Sequence, residues 1–240
     1  MKHKFLFILL FSLVLEGMVT TQAVAGDYVH QVNTLIGTKG TGLTSGYLYP
    51  GATYPYGMVQ FTPSYFSKRS GFVINQLSGG GCEHMGNFPT FPVKGKLKMS
   101  PDNILNYRIN VSEEKGHAGY YEAMVQEDIK AKLTVTERTG MASYEYPADQ
   151  QYGTIIIGGG ISATPIEQAA IVITAPNKCE GYAEGGNFCG LRTPYKVYFV
   201  AEFDTDAFET GTWKREELMP NTTFAEGEYS GVYLSLIHIS

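Results

Sequence analysis

Charge is scarce in this chain. It carries 18 Lys and Arg against 23 Asp and Glu in 240 residues, a formal net charge of −5. No basic run occurs, and without one a protein has little to offer a phosphate backbone, so nucleic-acid binding is not expected. The longest apolar run, 5–15, is too short to cross a bilayer, so no membrane span is expected. There is no internal repeat, no coiled-coil heptad and no low-complexity tract. Tryptophan occurs once. His30, His84 and His117 are scattered without metal-ligand spacing, which names no metal site. Cysteine occurs three times, an odd count.

The N-terminus explains that short apolar run. Lys2 and Lys4, then 5–15, then Ala23-Val24-Ala25 before Gly26 have the three parts of a secretory signal. The reading is a leader over 1–25 and a secreted or periplasmic product. No cysteine lies near the cleavage point, so it is not a lipoprotein signal. Removal of the leader shifts the formal charge from −5 to −6.

What the chain has in quantity is glycine (28 residues) and aromatic side chains (13%), with many Thr and Val, a composition that favours an all-β fold. Alternation is visible over 130–135 and 143–146, while 154–157 and 196–203 are nearly continuous apolar runs suited to strands buried on one or both faces. Turn residues return at the spacing of a large antiparallel β-sandwich. Only 216–219 and nearby positions hint at helix. The stretch 49–92 is dense in Gly, Pro and aromatics, which reads as short strands joined by shaped loops. Its tightest part, 78–84 (SGGGCEH), is the loop where a ligand is expected.

Two local patterns need weighing. The segment 154–163 (TIIIGGGISA) resembles a strand followed by a dinucleotide fingerprint, with Glu180 at a ribose-contact distance. That fingerprint requires a helix starting inside the glycines and a parallel sheet. Pro165 and the strand-like run 170–174 supply neither, so no nucleotide site is expected. Cys179 and Cys189 flank EGYAEGGNF, a glycine-rich segment that, read as a turn, would let them close a disulfide and leave Cys82 free. A nucleophilic Cys82 would need a base, and no His and Asp are arranged for one.

Several motifs then occur in order: NTLIGT (33–38), PGATYPYGMVQFTP (50–63), GF…LSGGGC (71–82), GYY (119–121), LTVTERTG (133–140) and GYAEGGNFCG…YKVYFVAEFD (181–204). Together they resemble the N-terminal domain of glycoside hydrolase family 92, the calcium-dependent exo-acting α-mannosidases. The resemblance implies a β-sandwich over 26–233 that forms one wall of a sugar pocket. It places the catalytic acid and base and the calcium ligands mainly on a C-terminal helical barrel, so none of these is assigned here. Glu83 and Glu137 make a tempting carboxylate pair, but Glu137 with Arg138 reads as a structural ion pair. The expected substrate-binding residues are Gln76, Ser78, Gly79, Cys82, Glu83 and Asn87, and the expected partners are α-mannose-containing glycans and the barrel itself.

The chain departs from the family pattern at two places. Many members have Thr-His-Leu-Ser-Gly where this chain has Asn75-Gln76-Leu77-Ser78-Gly79, and Gly-Asp where it has Gly86-Asn87. Gln and Asn still hydrogen-bond sugar hydroxyls. The end, 234–240 (LSLIHIS), resembles the translation of a sequencing adapter, which would make the chain a fragment. Two functions follow: the sandwich domain of a secreted mannosidase, inactive alone, or a stand-alone sugar-binding module.

Overall fold

The computed structural model describes residues 28–38, 48–64, 71–76, 85–101, 110–162, 164–188 and 190–237. The expected leader, 1–25, lies outside them. Two compact units are present, Met1–Gln31 and Val32–Ser240. In the first, Val29–Gln31 form a 3-10 turn closed by the Gln31 amide on the Tyr28 carbonyl at 3.0 Å.

The second unit is built from antiparallel strands, and no α-helix occurs among the described residues. Its first eight strands are β1 (Ala52–Thr53), β2 (Gln60–Pro63), β3 (Phe72–Val73), β4 (Thr90–Lys94), β5 (Val111–His117), β6 (Tyr120–Val125), β7 (Ile129–Val135) and β8 (Gly140–Glu145). The next four are β9 (Tyr152–Gly158), β10 (Ile166–Ala175), β11 (Lys178–Phe188) and β12 (Leu191–Glu202). The last are β13 (Glu209–Lys214), β14 (Glu217–Pro220), β15 (Phe224–Glu226) and β16 (Ser230–Ile237). They form an eight-stranded sheet in the order β1-β2-β3-β4-β9-β16-β13-β14, flanked by β5-β6-β7-β8 and by β12-β11-β10-β15.

The sandwich therefore has three layers, and that explains the apolar run 154–157. On β9, Ile156 enters a core with Phe61, Phe91, Trp213 and Tyr233 of the central sheet and Tyr121, Ile129 and Leu133 of β6 and β7. Ile155 and Ile157 face the other way, onto Ile171, Ile173, Cys179 and Ala183 of β10 and β11. A strand with a core on each side has no use for a polar face. β16 repeats the pattern, with Tyr233 on one side and Val232 and Leu234 on the other.

Two expectations about local structure give way. The helical hint at 216–219 is strand β14, whose Leu218 pairs with Trp213; propensity yields here to a vacant ladder on β13. The segment EGYAEGGNF is not a turn but the body of β11, whose extended backbone separates residues 179 and 188 by about 30 Å. A disulfide needs Cα atoms within about 7 Å. Cys179 is accordingly free and buried, and burial pushes its thiol up to about 12.

The two outer faces differ in chemistry. That of β5–β8 is a polar ladder: Lys130 and Lys115 flank Glu122 at 3.3 and 3.9 Å, and Lys132 pairs with Glu145. The Tyr120 hydroxyl donates to Glu122 at 2.8 Å, and this bond, helped by Lys130 and Lys115, holds the Glu122 carboxyl below the usual carboxylate range. A depressed folded-state pKa contributes stability above the unfolded pKa, and that contribution is lost as pH falls through the folded value. Glu122→Gln is therefore expected to flatten the acid limb of a stability–pH profile by up to about 1 kcal/mol and to leave the pH dependence above 7 unchanged. Urea melts between roughly pH 3 and 8 check this; parallel acid limbs would contradict it.

Candidate functional site

Antiparallel register brings several loops to one end of the central sheet. The end of β1 meets the start of β2 (Thr53 with Gln60), the end of β3 meets β2 (Val73 with Thr62), and the start of β4 meets the end of β9 (Thr90 with Ile157). The start of β16 joins them through Gly231 and Gly158. The described segments 54–59, 74–76, 85–89, 159–162 and 164–165 therefore converge. Non-glycine residues in left-handed backbone gather there too: Tyr56 (φ 59°), Met85 (φ 52°), Phe88 (φ 54°) and Tyr229 (φ 54°). Strain of this kind persists where surrounding contacts over-determine it, as at binding sites.

Asn87 is the hub of the polar chemistry at this end. Its Oδ1 accepts from Asn75 Nδ2 at 3.0 Å and from the Tyr195 hydroxyl at 2.9 Å. Its backbone amide donates to Asn75 Oδ1 at 2.7 Å, and the Gly86 amide donates to the Asn75 carbonyl at 2.6 Å. Thr164 Oγ1 lies 3.1 Å from the Tyr195 oxygen, and Ser162 donates to the Met85 carbonyl at 2.6 Å. Phe88 closes the base by packing on Phe199, ring centroids 4.1 Å apart.

This network fixes the amide of Asn87. With two donors on Oδ1, the NH2 group must point elsewhere, and Asn87 Nδ2 is buried without a hydrogen-bond partner. The side-chain amide of Gln76, on the residue next to Asn75, is likewise buried with neither its nitrogen nor its oxygen bonded. Exposure is 0% at Asn87 and 2% at Gln76. Buried amides left open are rare, and each leaves a donor or acceptor available to a ligand's polar group. Among the described residues no carboxylate or imidazole joins this network, and its amides and hydroxyls suit the hydroxyl groups of a ligand.

Of the six substrate-binding residues expected from sequence, Gln76 and Asn87 are in this cluster. Ser78, Gly79, Cys82 and Glu83 lie outside the described residues. Glu137 serves through its backbone, whose carbonyl accepts from the Met58 amide at 2.7 Å. Glu137 and Arg138, both exposed at the β7–β8 turn, form no ion pair with each other. Sequence reasoning missed Asn75, Tyr195, Thr164 and Ser162. They come from three separate segments, the one after β3, the one between β9 and β10, and β12, and nothing in the local pattern marked them. Among the described residues no three His, Cys, Asp or Glu side chains converge as a metal site would require.

The glycines of the fingerprint-like segment serve the backbone. Gly159 and Gly160 amides both donate to the Ser230 carbonyl, at 2.9 and 3.0 Å, and the Gly160 carbonyl accepts from Tyr229 at 2.9 Å. The chain then continues into strand β10 rather than a helix.

Comparison with known proteins agrees with this architecture. A curated relative, an uncharacterized secreted glycosidase of Arthroderma benhamiae, is 30% identical over 159 residues, 57% of this chain and 20% of that protein. Among solved structures, a family GH92 α-mannosidase from Bacteroides thetaiotaomicron superposes with TM-score 0.74 and 24% identity, covering 88% of this chain and 31% of that one. That enzyme has also been solved with mannoimidazole. An inverting family GH92 mannosidase of the same organism gives TM-score 0.73 at 23% identity, covering 89% and 30%. The chain thus spans less than a third of the proteins it resembles. The model of the glycosyl hydrolase family 92 N-terminal domain matches residues 31–237, and the chain belongs to that family as its N-terminal β-sandwich domain.

Proposed function

We propose that this chain is the N-terminal domain of a secreted, calcium-dependent, inverting exo-α-mannosidase, where it forms one wall of the sugar pocket and performs no chemistry alone. The observation that carries the reading is the pair of open, buried amides, Gln76 and Asn87, in a network that among the described residues includes no carboxylate or imidazole. Such groups bind hydroxyls, and α-mannose-containing glycans are the ligand class that the relatives suggest. Inverting hydrolysis needs an acid and a base about 6.5–9.5 Å apart across the scissile bond. In this reading both come from the helical barrel beyond the matched third, the second partner of the domain. Calcium finds no ligand group among the described residues, so no step here runs through it. Export rests on the leader 1–25.

The test is mannose release from an aryl α-mannoside by the purified chain with calcium, beside Glu83→Gln. No turnover is expected from either, and affinity for mannose is expected to be weak, because half a pocket neither encloses a ligand nor excludes water. Calcium-dependent turnover lost in Glu83→Gln would overturn the division of roles. Tight mannose binding without turnover would favour a stand-alone carbohydrate-binding module.

A further inference from the structure

We propose that two copies of this chain pair edge to edge through β12, antiparallel about a two-fold axis at Tyr198. Among the described residues β12 pairs with β11 on one side only, at the border of its sheet; Pro194 and a register shift at Gly185–Asn187 interrupt its start, and its regular stretch is Tyr195–Glu202. The other borders are blunted. β1 has two residues, β15 three, and β14 four ending on Pro220. β5 carries a register shift at Ser112–Lys115 with Glu113 in left-handed backbone, and β8 has six residues. Short strands, prolines and bulges are how sheets guard their borders; β12 is guarded in this way only at its start, and Tyr195–Glu202, free of proline and register shift, is a template for another strand.

Both faces of β12 are also incompletely covered. Tyr198 is 69% exposed and Val200 62%, while Val197, Phe199 and Ala201 on the opposite face are only partly buried against the second core. A further strand beside β12 would extend the cover on both faces at once.

The charge pattern selects a second copy as that strand. Basic residues lie in the first half of β12 (Arg192, Lys196) and an acidic one at its end (Glu202), with Asp204 just beyond. Antiparallel pairing centred on Tyr198 sets Tyr195 against the partner's Ala201 and Lys196 against the partner's Val200, with the partner's Glu202 diagonal to Lys196. Diagonal neighbours on one face are within reach of long side chains. In-register parallel pairing would set like on like. The contact is isologous and closes at two chains. It is small, so the dimer belongs to the weak class.

Sedimentation of the purified chain at about 100 µM, where a weak pair of this class is populated, is expected to show the dimer. Added salt should weaken it, because the Lys196–Glu202 contacts are exposed. Tyr198→Glu places two carboxylates at the axis and should weaken pairing about a hundredfold. Val200→Lys faces the partner's Lys196 and should weaken it about tenfold, whereas Val200→Glu should tighten it. Within one chain the order is reversed, because Val200 lies opposite Glu180 of β11, so a merely structural effect would favour the lysine. Ser143→Lys, on the other outer sheet, should change nothing. A single-chain mass at about 100 µM, or Val200→Lys and Val200→Glu moving the affinity in the same direction, overturns the proposal.

Discussion

Gly160→Ala is expected to lower the unfolding free energy by about 3 kcal/mol or more. A Cβ at this position would run into the carbonyl oxygen of Gly227. Neither backbone can step aside cheaply. Gly160 is held on both sides, its amide on the Ser230 carbonyl and its carbonyl on the Tyr229 amide. Gly227 sits at φ 83° with its own amide donated to the Ala169 carbonyl at 2.8 Å. Relief of the clash must therefore break a bond that joins β16 to β9 or one that joins the 227–229 loop to β10. A urea melt should show a lower midpoint with unchanged slope. If the glycines instead cradled a phosphate, the same substitution would cost little stability and would abolish ADP binding. A loss below about 1 kcal/mol, the central value for ordinary substitutions, together with ADP binding by the unmodified chain, would contradict the structural role.

Asn87→Leu is expected to cost about 3 kcal/mol, because it strands two buried donors at once. Asn75 Nδ2 and the Tyr195 hydroxyl both end on Asn87 Oδ1, and leucine offers neither an acceptor. Tyr195→Phe removes one donor together with its need for a partner and should cost about 1 kcal/mol. The two changes share one bond, so the double variant should lose less than the sum of the singles. Strict additivity in urea denaturation would show that Tyr195 and Asn87 are not coupled, and the network would then not be what orients the open Asn87 amide. The folded variants, titrated with mannose, should also bind less of it than the unmodified chain.

Much of the fold was legible before any coordinates. The alternation over 130–135 became β7, the apolar runs 154–157 and 196–203 fell in β9 and β12, and the run 170–174 fell in β10. The ordered motifs pointed to the family that the comparison then showed. The candidate site was half legible. Gln76 and Asn87 flank the glycine-rich loop and departed visibly from the family pattern. Tyr195 did not stand out, because an aromatic residue in a strand signals only a strand. Its role depends on meeting a residue 108 positions earlier in the chain.

Sequence by itself determined which segments are extended and in what order the motifs run, because strand period and turn chemistry are local properties of a few consecutive residues. Tertiary structure decided which strands are covered on two faces and which on one. β9 and β12 carry similar apolar runs, yet β9 is buried between two cores while β12 borders a sheet and leaves Tyr198 and Val200 in water. It decided that Cys179 is free, at one end of β11, because the glycines after it extend along that strand instead of turning. It decided, too, that Gly160 serves a backbone crossing and that Asn87 keeps an open donor. Each outcome depends on which distant backbone or side chain arrives at the position, and hydrogen bonding and steric exclusion act on that arrival rather than on the neighbours in sequence.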